Sequence, residues 1–233
     1  MGKSAQKRLV RRLDLELFLS KLAPHPSPQA SLEQYTISED AAATLLYISA
    51  YARNDIIGKT VLDLACGTGR LALGAAFLGA KEVVGADSDR VAIKVACKNS
   101  EIAGLQDQVQ WVTCDLEAIA GKFETVLQNP PFGVQKRAAD RKFIEKALEV
   151  GNSIYSFHNH PTVDKHLAML LKKSGESLIQ VPPSSFLESL VEKHGGIIKA
   201  VYALPMTIPK MFGFHTQSKR QIIVDLYVIQ KKI

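Results

Sequence analysis

Cysteine is scarce in this chain of 233 residues: Cys66, Cys97 and Cys114 are the only three. They are odd in number, far apart and without the paired spacing of a zinc site. Neither a disulfide framework nor a structural metal is therefore expected to organise the fold. Tryptophan occurs once, at Trp111, and aromatic residues make up 7%. No uninterrupted apolar run approaches the length that spans a bilayer, so no membrane insertion is expected. No secretory leader is expected either, because the basic start from Lys3 to Arg12 runs into Asp14 and Glu16. Gln6 stands where a myristoylation signal after Met1-Gly2 wants Ser or Thr. Hydrophobic residues reach 46% against 22% charged, at a mean hydropathy of +0.02, which excludes intrinsic disorder. These absences together predict a soluble protein of a reducing cytoplasm.

What is present begins with a mild basic excess, 29 Lys+Arg against 23 Asp+Glu, for a net charge of +6. That balance is compatible with nucleic acid without establishing it. Lys3, Lys7, Arg8, Arg11 and Arg12 crowd the N-terminus. Lys136, Arg137, Arg141 and Lys142 form a second cluster, and Lys210, Lys219 and Arg220 a third. Any one cluster alone reads as a solvated face.

Leu9, Leu13, Leu17 and Leu22 recur at near-helical spacing, predicting a basic amphipathic helix over residues 7–22. The alternating prolines at Pro24, Pro26 and Pro28 break it into a loop. Residues 1–37 read as a helical extension, and 38–233 as the main domain. A second helix is expected from Ser38, an N-cap followed by Glu39 and Asp40. From Thr60 onward, short β-rich runs alternate with helical ones, the pattern of a mostly parallel sheet with helices on both faces. Runs at Lys199 to Leu204 and Gln221 to Ile229 have no helix between them, only a loop containing Pro205, Pro209 and Gly213. They read as an antiparallel pair closing the sheet. That α/β arrangement resembles the Rossmann-like class I methyltransferases.

Between the first strand and its helix lies Asp63-Leu64-Ala65-Cys66-Gly67-Thr68-Gly69-Arg70. Gly67, Gly69 and Ala72 satisfy a dinucleotide-type pattern that is weak by itself. Glycines let the backbone turn sharply beside a ligand, and the helix N-terminus favours negative charge. Asp63, just before the glycines, is badly placed for a pyrophosphate and well placed for an amino-acid ammonium. Asp87 ends the second strand, where a carboxylate accepts ribose hydroxyls. Asp115 ends the third, beside Leu116, and suits an adenine amine and ring face. Each Asp alone is commonly a turn former or cap, the reading given to Asp89 and Asp107. Three at successive strand ends favour S-adenosylmethionine (SAM) over NAD. Cys66 reads as a small apolar turn residue.

Asn129-Pro130-Pro131-Phe132 follows the fourth strand. An exocyclic amine on a base is a poor nucleophile, because its lone pair is delocalised into the ring. The Asn129 side-chain oxygen and the Pro130 carbonyl can accept its two N–H groups and free the lone pair for a methyl sulfonium. Pro130 and Pro131 stiffen those acceptors before reaction, and Phe132 can stack on the base. Lys136, Arg137, Arg141 and Lys142 follow directly and are the candidate RNA-phosphate contacts. His158 and His160 lack partners for a metal site and are read as loop histidines.

Five segments recur in a recognisable order: Leu32-Glu33-Gln34-Tyr35, the glycine loop, Asn129-Pro130-Pro131-Phe132-Gly133, Tyr155-Ser156-Phe157-His158 and Val224-Asp225-Leu226. From about Leu32 to the end, the chain resembles the small adenine-N6 ribosomal RNA methyltransferases. The resemblance implies SAM as cofactor, approached by Gln34, Ile37, Ala65, Thr68, Arg70, Asp87, Asp115 and Leu116. It implies methyl transfer to adenosine N6, in small-subunit ribosomal RNA. It also implies a partner, because the eukaryotic member works with a small zinc-containing activator. The edge strand near Val109 to Thr113, carrying Trp111, is where such a partner would add. The alternative for that strand is an inward Trp111 with the edge guarded by Gln108 and Gln110. The family often carries Gly at the position of Ala65 and Thr at that of Ile37. Residues 163–183 look like an insertion, with a helix suggested by Leu167 to Leu171. Two other functions fit parts of the pattern: a protein glutamine-amide methyltransferase, which typically has Tyr in place of Phe132, and a non-catalytic RNA-binding scaffold.

Overall fold

The computed structural model describes residues 9–29, 34, 36–132, 139–161, 167, 169–171, 178–209 and 219–232. Its strands are β1 (Thr60–Leu64), β2 (Glu82–Asp87), β3 (Val109–Thr113), β4 (Phe123–Gln128), β5 (Gly151–Asn159), β6 (Ile179–Gln180), β7 (Gly196–Pro209) and β8 (Lys219–Lys231). They form one sheet in the order β3-β2-β1-β4-β5-β8-β7-β6. The first five pair in parallel, whereas β8, β7 and β6 add antiparallel. This is the class I methyltransferase fold, with three antiparallel strands at the end where the sequence pattern indicated a pair.

Alternation along the central strands separates two cores. Val61, Leu127, Tyr155 and Phe157 face helices α1 (Arg12–Ser20), α2 (Glu39–Tyr47) and α3 (Arg70–Leu78). Leu62, Val126 and Ile154 face α5 (Ala139–Val150) and α6 (Ser185–Lys193). Helix α4 (Arg90–Ala103) lies between β2 and β3 in the chain and packs against both. Each βα crossover places its loop at the carboxyl edge of the sheet, where open α/β folds bind ligands.

The N-terminal helix differs from expectation. It runs from Arg12 to Ser20 and turns Leu15, Leu19 and Leu22 inward. Of the four leucines whose spacing predicted the helix, Leu22 is buried, whereas Leu9, Leu13 and Leu17 are 58%, 58% and 54% exposed. Leucines fill two helical faces here, so periodicity cannot choose between them; packing does. Phe18 stacks on Phe77 of α3 with ring centroids 4.2 Å apart. Gly74 lets the helices approach closely, since a Cβ there would meet Leu46 at 2.3 Å and Leu19 at 3.3 Å. Leu15 and Leu19 thus belong to the larger core. Leu19→Ala should cost about 2–5 kcal/mol in urea unfolding, and Leu13→Ala about 0.5 kcal/mol or less. Equal costs would overturn the assignment of faces.

Other differences follow from context. Pro205 and Pro209, expected in a loop, lie within β7. Among the described residues, β6 pairs with β7 only at Tyr202 and Ala203, so Pro205 sits where the outer edge has no strand partner. Lys219 and Arg220 begin β8 rather than forming a turn. Helix α6 was not expected; Ser184 caps it, accepting from Leu187 N at 3.3 Å. Residues 167 and 169–171 are helical, as the Leu167 to Leu171 run suggests. No helix among the described residues is long and apolar enough to cross a membrane.

Candidate active site

The chain leaves β1 through three left-handed residues, Ala65 (φ 60°), Gly67 (φ 54°) and Gly69 (φ 85°). A Cβ on Gly69 would lie 2.3 Å from the Trp111 ring, so that position requires glycine. Ala65 keeps its Cβ in this conformation, at a strain of about 1–2 kcal/mol. The family's preference for Gly at that position has the same origin. The turn delivers the start of α3 to Asp63, whose Oδ2 accepts from Ala72 N at 2.8 Å. Its Oδ1 is buried with no hydrogen-bond partner among the described residues. Burial pushes the Asp63 carboxyl up to about 7, against the help of the Ala72 amide. Asp87 accepts from Gly67 N at 2.8 Å and Asp89 N at 2.9 Å, tying β2 to the glycine loop. Burial raises its carboxyl above the usual range as well.

Arg70, the first residue of α3, is 9% exposed. Its guanidinium donates to the Ile37 carbonyl and lies 3.6 Å from Glu39, while its Nε has no partner among the described residues. Burial lowers its pKa, the expected direction for a desolvated cation. Asp89 caps α4 as the sequence indicates, accepting from Val91 N at 2.7 Å. It does more than cap. Its other oxygen takes His25 Nε2 at 3.0 Å and Gln34 Nε2 at 2.6 Å. Ser27 N donates to His25 Nδ1 at 3.1 Å, which leaves the ring proton on Nε2 for Asp89. Asn99 holds Ala23 through both backbone groups, at 2.9 and 3.0 Å. The proline-rich stretch is therefore fastened along the site rather than being a simple connector.

These elements enclose a cavity of about 230 Å³. Of the expected cofactor residues, Gln34, Ile37, Asp63 and Ala65 line it, as do Gly67, Thr68, Arg70 and Asp87. Asn129 and Pro131 form the wall at the end of β4. Asn129 Oδ1 is buried and makes no hydrogen bond among the described residues. Leu116 lines a smaller adjoining hollow that shares Ala65, Asp87, Ser88 and Phe143 with the main cavity. Asp115 lines neither and is exposed at the start of a single turn of 3-10 helix, Leu116–Ala118. Gly69 shapes the turn without lining the cavity, Pro130 is buried, and Phe132 packs half-buried against the larger core. His25, Thr36, Ser88 and Phe143 were not expected as wall residues. Cys66 also lines the wall, but burial raises its thiol far above the usual value, which makes it inert.

The basic clusters need correction. Arg11 pairs with Asp14 at 2.7 Å and Arg12 with Glu16 at 2.9 Å, so part of the N-terminal charge is locally neutralised. Arg141 lies over the Phe186 ring, 4.4 Å from its centroid, and Lys142 pairs with Glu117 at 3.2 Å. Lys3, Lys7, Arg8, Lys136, Arg137 and Lys210 fall outside the described residues. His158 is not a loop histidine, whereas His160 follows β5 in a loop. His158 is buried within β5, and His160 bonds Asp225 at 2.8 Å. The described residues hold no cluster suited to a metal ion.

Comparison with known proteins decides the family. The model described as methyltransferase small domain matches residues 38–153. The rRNA N(6)-adenosine-methyltransferase METTL5 of Danio rerio is 37% identical over 218 residues, covering 91% of this chain and 95% of that protein. This chain belongs to the METTL5 family. An uncharacterized protein of Methanocaldococcus jannaschii is 37% identical over 235 residues, covering 96% and 95%. The crystal structure of a candidate RNA methyltransferase from Pyrococcus horikoshii superposes with a TM-score of 0.79 at 32% identity, covering 97% of this chain and all of that one. The protein is a SAM-dependent class I methyltransferase.

The residues present fit that cofactor. An amino-acid zwitterion needs an acceptor for its ammonium and a cation for its carboxylate. Asp63 and Arg70 stand in one cavity wall, each with a buried polar atom left unpaired. Unpaired buried polar atoms are costly, so a pair of complementary ones marks a ligand's place. When bound, SAM supplies an electrophilic methyl group on a sulfonium. Strand β3 is the sheet edge. Trp111 turns inward over Gly85 and Gly69 and donates to Ser100 Oγ at 3.3 Å. Val112, on the other face, is 40% exposed.

Proposed function

We propose that this protein transfers the SAM methyl group to the N6 amine of an adenosine in small-subunit ribosomal RNA. The observation that carries the reading is Asn129. It follows β4 directly, lines the same cavity as Asp63 and Arg70, and holds a buried side-chain oxygen with no partner among the described residues. A neutral acceptor of that kind orients an NH2 group without needing a strong base. The name of the zebrafish relative supports adenosine as the acceptor and ribosomal RNA as its source. A glutamine amide offers the same NH2, but Phe132 stands where that group of enzymes typically has Tyr. Trp111 turns inward, as the alternative for β3 expected, so a partner strand from a small activator protein is supported by the edge position of β3 and the exposed Val112 rather than by the tryptophan.

Labelled SAM, this protein and ribosomal RNA should yield N6-methyladenosine after nucleoside digestion. Label in methylglutamine with none in nucleosides would move the assignment to protein methylation. No label anywhere, even with a supplied activator, would favour the scaffold. A stable monomer that is fully active without a partner would remove the activator from the proposal.

A further inference from the structure

Beneath the first turn of α5 the apolar face of the sheet is interrupted by polar side chains. Gln128, Ser156 and His158 are 0%, 0% and 4% exposed, on the face that Val126 and Ile154 present to α5. Gln128 Nε2 donates to Ser156 Oγ at 2.9 Å, and Ser156 Oγ lies 2.9 Å from His158 Nε2. The far side of the ring, Nδ1, stands 3.7 Å from Asp140 of α5. Tyr227 meets the ring edge-on at 5.2 Å, and the buried Asp225 neighbours it in register while bonding His160. Gln128 Oε1 is left buried without a partner among the described residues. Folding alone does not call for this arrangement. Aliphatic side chains would fill the same layer, whereas an unpaired buried carbonyl costs about 1–3 kcal/mol.

The two ends of the polar row show what it does. Gln128 directly precedes Asn129, and Asp140 is the second residue of α5, so the row runs from the residue before Asn129 to the first turn of α5. Ser156 and His158 lie two apart on β5, the strand beside β4, and join one end to the other. Burial alone would raise the Asp140 carboxyl, yet the His158 ring and the backbone amides at the start of α5 hold it below its usual range. An acceptor that must meet an amine at a fixed angle gains from such a support, because a displacement near 1 Å can cost about 10²-fold in rate.

We propose that His158, clasped between Ser156 and Asp140, is a positioning residue that fixes Asn129 for methyl transfer. This rests on Asn129 being the methyl-transfer site, whichever amine it accepts. Ser156→Ala and Asp140→Asn interrupt the row on opposite sides of His158. Each should lower kcat about tenfold at saturating SAM, while calorimetry gives a SAM Kd within about twofold of the native value. The double variant should fall no further than the worse single one, because either change already breaks the row. Multiplying effects, or equal losses of kcat and SAM affinity, would mean ordinary structural damage and overturn the proposal. A crystal structure of the Ser156→Ala variant should show Asn129 displaced, and an unmoved Asn129 also overturns it. If Ser156→Ala does not fold, Asp140→Asn at the half-buried start of α5 still supplies the kcat and affinity comparison. Asn129→Ala is the control. Loss of turnover there, with none in the other two, leaves the methyl-transfer site standing and removes His158 from it. Full turnover in Asn129→Ala removes both.

Discussion

Asn129→Ala is expected to lower methyl transfer by about 10²-fold or more, with SAM affinity nearly unchanged. The amine of the acceptor has its lone pair drawn into a conjugated system. A fixed oxygen that takes one N–H at a tetrahedral angle returns the lone pair to nitrogen as the methyl arrives. That interaction strengthens toward the transition state, so its loss appears in kcat rather than in ground-state binding. Asn129 suits the role because its oxygen is buried and makes no hydrogen bond among the described residues. The preceding strand is anchored on both sides, by β1 and β5, which gives the loop a rigid origin. Turnover of labelled SAM and calorimetry on one preparation separate the two effects. A fall in SAM affinity that matches the fall in turnover would make Asn129 part of the cofactor wall. Phe132→Ala mixes effects, because this ring packs against the larger core as well as being the stacking candidate.

The parts of this site legible in the sequence are those dictated by the backbone. Gly67 and Gly69 are needed for left-handed turns, and Asp63, Asp87 and Asn129 end strands that must converge at one sheet edge. Residue type and position there follow from local geometry, so pattern reading reaches them. Asp115 satisfies the same strand-end logic and is nevertheless exposed, because the edge strand β3 ends outside the cavity. The face of α1 was misread because two leucine stripes compete, and only Gly74 and Phe77 on a distant helix decide between them. His25 was invisible for a related reason: its partner Asp89 is 64 residues away. The row beneath α5 had a signal. Ser156 and His158 repeat with period two between the apolar Ile154, Tyr155 and Phe157, the spacing of one sheet face. Reading His158 and His160 together as loop histidines hid that spacing.

SAM affinity is expected to rise about tenfold between pH 6 and pH 8, and Asp63→Asn should abolish most of that rise. The cause is the unusual carboxyl of Asp63, which burial holds at about 7 in the cofactor-free protein. Below that value the group is neutral and offers the ammonium of the cofactor no charge. Above it the carboxylate is ionised, buried and short of a partner on Oδ1, so an arriving ammonium is strongly favoured. Cofactor binding should therefore release a proton at neutral pH. Calorimetry in buffers of different ionisation enthalpy measures that release directly. At pH 8 the substitution should weaken SAM binding about 10- to 100-fold, the range for a hydrogen bond to a charged group. Stability of the cofactor-free protein should move the other way. Its folded carboxyl titrates above the ordinary value of 3.8, so the folded state keeps a proton that the unfolded chain has released. That contribution is complete below about pH 4 and is lost as the pH climbs through 7. Asn at position 63 keeps an oxygen for the Ala72 amide and does not titrate, so its unfolding free energy should lack this decline. If native and variant proteins show parallel pH profiles for both SAM binding and unfolding, Asp63 is not the ammonium site. The pH dependence would then belong to another group lining the cavity.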